Sequence, residues 1–162
     1  MSERNIERAR NIVKNSLYAT VATADEGATP WNSPVFVSLD NDGNFYWISS
    51  PEAQHSKNIS ANNKAFLVMF DSTAPEGTGE GVYVQATAEA VSDQSCATYL
   101  TKRAGKPDNR YEEALNQGVL NVYRATPQHI WVNDVELDEN GEYVRDTRPE
   151  IPTDCLTKLA DW

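Results

Sequence analysis

Cations, histidines and cysteines are scarce in this chain, and each shortage removes a class of function. Its 162 residues hold 14 Lys and Arg against 24 Asp and Glu, a formal net charge of −10. Such a balance argues against duplex nucleic acid, where phosphate neutralisation dominates affinity. It argues equally against an anionic membrane surface. The two histidines, His55 and His129, and the two cysteines, Cys96 and Cys155, are far apart. They make no CxxC and no Cys/His ligand spacing, so no metal centre is expected. The motifs G-x-S-x-G and G-x-x-x-x-G-K-[ST] are absent too, which leaves nucleophilic and nucleotide-triphosphate chemistry without support. No apolar run approaches the roughly 18 residues of a membrane span. The segment Met1 to Asn5 has no apolar leader. The expectation is a cytoplasmic protein with reduced thiols, folded as one domain over residues 1–162.

What is present is strand after strand. Residues 3–15 place Ile6, Ala9, Ile12 and Val13 at helical spacing, with Ser2 at the N-cap position. The period then changes. Leu17 to Thr23, Pro34 to Leu39 and Asn44 to Ser49 are rich in β-branched and aromatic residues and read as strands. Asp40-Asn41-Asp42-Gly43 is a strong hairpin turn, since Asn and Gly tolerate the left-handed conformation. A helical turn is expected over about 53–62. Ala65 to Phe70 is nearly all apolar and reads as a strand buried on both faces. Asp71 to Gly81 is a loop, and Val82 to Val91 a long strand. Helices are expected from Ser92 to about Arg103 and from Asn109 to Gln117. Strands return at Asn121 to Ala125, Gln128 to Leu137 and Glu142 to Arg145, the last two joined by the turn Asp138-Glu139-Asn140-Gly141. The tail from Arg148 to Pro152 reads as irregular. Seven or eight mostly antiparallel strands with two or three helices point to a closed or nearly closed barrel, mostly β with peripheral helices.

One stretch carries chemistry. Gln54-His55-Ser56-Lys57-Asn58-Ile59 begins a short helix directly after an aromatic strand that ends in Ser49 and Ser50. Backbone N–H groups at a helix start, a hydroxyl donor and a lysine are what a phosphate monoester needs. The aromatic residues Tyr46, Trp47 and Trp131 lie on strands, where core packing is the ordinary role. A large indole at a barrel edge can also cover a planar ligand.

These residues, in order, resemble the FMN-binding split barrels related to pyridoxamine 5'-phosphate oxidase. The resemblance runs over about residues 10–146. It is carried by Leu17 to Thr23, by Gly27-Ala28-Thr29-Pro30, by Asn32 to Val37 and by Phe45 to Ser49. His55 to Ile59, Asn62 to Ala65, Gln85 to Glu89 and Pro127 to Trp131 complete it. It implies a six-stranded antiparallel split β-barrel that binds FMN at the interface of a homodimer. By position, Ser56 and Lys57 would hold the phosphate, with His55 and Asn58 beside them. Asn32, Ser33, Pro34 and Val35 would offer backbone groups to the flavin ring. Trp47, Ile48 and Ser49 would line its other polar edge and the ribityl chain. Trp131 would come from the partner subunit. Two departures stand out. The oxidase members carry an Arg at the position of Asn32 and a Lys near Val37. Of their Arg-Leu-His-Asp segment only Asp146 is in place, around Tyr143 to Asp146. Pyridoxamine phosphate oxidation is therefore not expected. The implied protein is a flavin-dependent oxidoreductase acting on a small molecule or electron donor of unknown identity. The alternatives are a deazaflavin or haem in place of FMN, or a non-catalytic binding or sensing protein. No catalytic residue is assigned.

Overall fold

The computed structural model describes residues 3–77, 79–92, 100, 103–105 and 110–159. Helix α1 (Glu3–Asn15) turns Ala9 and Val13 into the core, with Ile6 and Ile12 packed beside them. The spacing expected from the sequence is therefore the spacing observed. The end of this helix leaves carbonyls that its own turns cannot satisfy. Arg103 supplies the donors, bonding to the carbonyl oxygens of Val13 at 3.0 Å and Lys14 at 3.5 Å, and to that of Ser16. Burial pulls the Arg103 guanidinium down to about 10, so it stays charged at neutral pH. Arg103→Ala is expected to cost about 1–3 kcal/mol in urea denaturation. A loss under half a kcal/mol would mean that water replaces the guanidinium.

The strands are β1 (Tyr18–Ala24), β2 (Pro30–Phe36), β3 (Ser38–Leu39), β4 (Phe45–Ser49), β5 (Lys64–Phe70), β6 (Gly81–Val91) and β7 (Asn121–Val132). All pair antiparallel, in the order β2-β1-β5-β6-β7-β4-β3. The two ends of that order, β2 and β3, are one stretch of chain bent at Val37. The sheet must therefore roll up. Counting β2 and β3 together, six strands make the barrel, the number that the resemblance implied. Its interior is filled by Val21, Leu39, Phe45, Trp47, Leu67, Met69, Val84 and Ile130, all essentially inaccessible. Helix α2 (Gln54–Ala61) packs against β1, β2 and β6. Helix α3 (Arg110–Asn116) contributes Leu115 to a smaller cluster with Tyr46, Ile48 and Val122.

Several expectations change. Strand β5 is not buried on both faces. Ala65, Leu67 and Met69 point inward, while Phe70 is half exposed on the other side. The two strands expected on either side of Pro127 are one. Proline has no N–H to give the ladder. Here the register shifts instead, with Gln85 opposite His129 and Ala86 opposite Pro127, so Gln128 is the extra residue of a bulge. The expected strand over Gln128 to Leu137 breaks at Asn133, and β8 (Asp134–Leu137) pairs with β9 (Tyr143–Thr147) as a separate hairpin. Gly141, at a φ of +83°, closes its turn as expected. The tail is not irregular throughout: β10 (Glu150–Ile151) pairs with β7. The cap at Ser2, Cys96 and most of the helix expected after Ser92 lie outside the described residues.

Candidate functional site

Strand β4 ends at Ser49, and α2 starts five residues later. That short connection brings the strand end, the helix start and the middle of β2 together. His55 is buried, and its ring sits between two hydroxyls. Its Nε2 is 2.9 Å from Ser49 Oγ and its Nδ1 is 3.2 Å from Ser33 Oγ. Trp31, on the rim of β2, donates its indole N–H to the same Ser33 oxygen at 2.9 Å. The ring of Tyr123 meets His55 edge-on at 6.4 Å. Trp31 and Tyr123 were not singled out in the sequence. Trp31 lies two residues before Ser33, so its spacing along a strand was the available signal.

Burial holds the His55 imidazole below its ordinary value of 6.5. A buried neutral imidazole gives a definite pH dependence. Its contribution to stability is complete above the unfolded value and is lost as pH falls through the folded one. The urea midpoint should therefore fall as pH is lowered from 7 through about 6 and below, and His55→Gln should flatten that slope. An unchanged slope in the variant would assign the dependence to other groups.

The anion-binding features follow directly on the same first turn of α2. Its N-cap residue, Ala53, has no side-chain cap. Ser56 is buried, and its hydroxyl has no hydrogen-bond partner among the described residues. Ser56 and Lys57 line a groove of about 630 Å³ that also includes Glu52, Asn63, Asn121 and Tyr123. The Lys57 side chain is half exposed, and its ammonium is 3.0 Å from Glu52 Oε2. Lys57 therefore already has a carboxylate beside it, which an incoming anion must displace. A second depression, of about 570 Å³ and lined by Leu17, Tyr18 and Phe70, lies at the far end of β1 from this cluster.

The other expected residues separate. Asn58 is turned inward, donating to Thr23 Oγ1 at 3.0 Å and accepting from Gln54 at 2.8 Å. Both ends of its amide are occupied, so it anchors α2 to β1. Trp47 is wholly inside the barrel, stacked on Tyr123 with ring centres 5.7 Å apart. Val35 is in the same core, and Ile48 packs into the smaller cluster around Tyr46. Asn32 and Pro34 are exposed on β2. Among the described strands, β2 hydrogen-bonds to β1 alone, so its other edge can offer backbone groups. Trp131 is on the outside of the barrel, between Phe66 at 6.2 Å and His129 at 5.6 Å, both nearly parallel to it. Among the described residues no three His, Cys, Asp or Glu side chains could share a metal ion. No described helix is long and apolar enough to cross a membrane. Cys155 is a free, buried thiol, pushed up to about 11 by burial.

A rolled six-stranded antiparallel sheet, with a helix start packed against its strand ends, defines the split-barrel class. The chain belongs to the pyridoxamine 5'-phosphate oxidase family, whose sequence profile matches residues 6–133. No curated protein sequence matches it. Solved structures share the fold at low identity. A heme binding protein from Mycobacterium smegmatis is 19% identical with a TM-score of 0.68, over 93% of this chain and 59% of that one. The chain thus spans about three fifths of that protein's length. HutZ, the heme storage protein from Vibrio cholerae, is 20% identical with a TM-score of 0.62, over 80% and 93% of the two chains. An F420 reductase is 19% identical with a TM-score of 0.60, over 75% and 94%.

Proposed function

We propose that this protein binds FMN and is a flavin-dependent oxidoreductase. The observation that carries the reading is the Ser56 hydroxyl, buried without a partner among the described residues on the first turn of a helix whose start has no side-chain cap. A phosphate there would receive the hydroxyl, backbone N–H groups and Lys57. Bound flavin would supply the electron transfer, and the protein would place and orient it. The free edge of β2 would face the ring. The outward stack of Phe66, Trp131 and His129 would be covered by a second copy of the chain, making a homodimer with the ligand between subunits. Pyridoxamine phosphate is not the proposed substrate, because Asn32 stands where the oxidases have Arg. Purified protein should show flavin absorption, or gain it on incubation with FMN. Neither result appearing would end the reading.

A second reading, a haem protein, has a specific observation in its favour. Both ring nitrogens of His55 are engaged, but among the described residues His129 has only its Nδ1 held, 2.6 Å from Glu150 Oε1. A carboxylate on one nitrogen orients the other toward a metal. Titration with haem distinguishes the two: a Soret shift abolished by His129→Ala would favour haem, and its absence favours flavin.

A further inference from the structure

We propose that Trp31, Ser33, His55 and Ser49 form one head-to-tail hydrogen-bond chain, in which His55 is a positioning residue that holds the Ser49 hydroxyl as a donor toward an acceptor atom of the bound ligand. That the ligand is a flavin rests on the function proposed above; the order of the chain does not.

The direction follows from what each group can do. An indole N–H only donates, so Trp31 makes Ser33 Oγ an acceptor at 2.9 Å. Ser33 keeps one hydrogen, and its other neighbour is His55 Nδ1 at 3.2 Å. Given that hydrogen, Nδ1 is an acceptor, and the neutral ring carries its proton on Nε2. Nε2 then donates to Ser49 Oγ at 2.9 Å. Each link is satisfied, and one hydrogen is left over, on Ser49. The opposite tautomer aims two N–H groups at Ser33 Oγ and turns the Ser49 hydrogen back onto Nε2, away from any ligand. It also breaks the common direction, so that the dipoles no longer reinforce one another.

The arrangement has a use because its two ends differ. Trp31 is half exposed at the rim of β2. Ser49 is half buried at the end of β4, where the chain turns into α2. A hydroxyl polarised by three donors behind it favours a carbonyl oxygen or a deprotonated ring nitrogen over a cation. His55 touches neither solvent nor ligand in this scheme. It acts through Ser49.

The ring can be read directly. In ligand-free protein labelled with ¹⁵N-histidine, long-range ¹H–¹⁵N spectra at neutral pH should show His55 protonated on Nε2, with His129→Gln used for assignment. Trp31→Phe, at the exposed rim, and Ser33→Ala should each shift the ring toward a mixture of tautomers, and Ser33→Thr should restore it. A purely structural histidine would keep one tautomer throughout. The Nδ1-protonated form, or a ring indifferent to both variants, overturns the chain. With FMN as probe, Ser49→Ala should weaken binding about tenfold, and Ser49→Thr should recover it. Unaltered FMN affinity in Ser49→Ala overturns the donor role. A wild-type protein that shows the Nε2–H tautomer but binds no FMN sinks the flavin reading and supports the ordered chain.

Discussion

Trp47→Ala will destabilise the protein by about 3–5 kcal/mol, the usual cost of emptying a buried aromatic site. Trp47 has no exposed surface, and its ring lies against Tyr123 at an interplanar angle of 15°. Removing it opens a cavity among Phe45, Val84 and the other interior side chains, which hydrogen-bonded strands cannot collapse to fill. Trp47→Phe should cost far less. It keeps a ring against Tyr123, and it deletes an indole N–H that is buried without a partner among the described residues. Urea denaturation of the two variants measures both. The outcome that opposes this view is a stable Trp47→Ala protein that has lost its ligand. That result would return Trp47 to the ligand-lining role that the family resemblance implied.

Removing both Ser56 and Lys57 side chains should weaken FMN binding about a hundredfold. A hydrogen bond to a charged group contributes about 1.5–3 kcal/mol, so each partner is worth tenfold or more. The fold should tolerate the change at Lys57, because an exposed ion pair such as Lys57–Glu52 contributes only about 0–1 kcal/mol. Glu52→Gln is expected to act in the opposite direction. It frees Lys57 from its carboxylate and removes a negative charge from the groove, so FMN and inorganic phosphate should both bind more tightly. Fluorescence quenching of FMN, followed at several salt concentrations, reads all three variants. A Glu52→Gln protein with unchanged affinity, together with an unaffected Lys57→Ala, would place the phosphate elsewhere.

The parts of this fold that were legible in the sequence are those with a local cause. Helix α1 announces itself through Ile6, Ala9, Ile12 and Val13, and both hairpin turns through Asp-Asn and Gly pairs. The break expected around Pro127 is absent because a bulge accommodates the proline, and its partner is β6, some forty residues earlier in the chain. The all-apolar run of β5 misled for a related reason. Hydrophobicity does not say which side of a strand has something to pack against. The site was half legible. His55, Ser56 and Lys57 are neighbours in sequence and are neighbours in the structure. Their roles differ with the direction of each side chain around the helix, and adjacent residues on a helix point about 100° apart. His55 therefore faces Ser33 and Ser49, Lys57 faces Glu52 and the groove, and Asn58 faces Thr23.

By itself the amino-acid order determined an antiparallel β-protein with a helix start rich in anion donors, and the family resemblance named its barrel. Both depend on contacts between residues a few positions apart. Only the rolled sheet decided that Trp31 and Ser33, on one strand, meet His55 and Ser49 from beyond the next hairpin. It also put Trp47 inside and Trp131 outside. Those choices belong to register and curvature, which are set by the packing of the whole core, and no short window of sequence contains them.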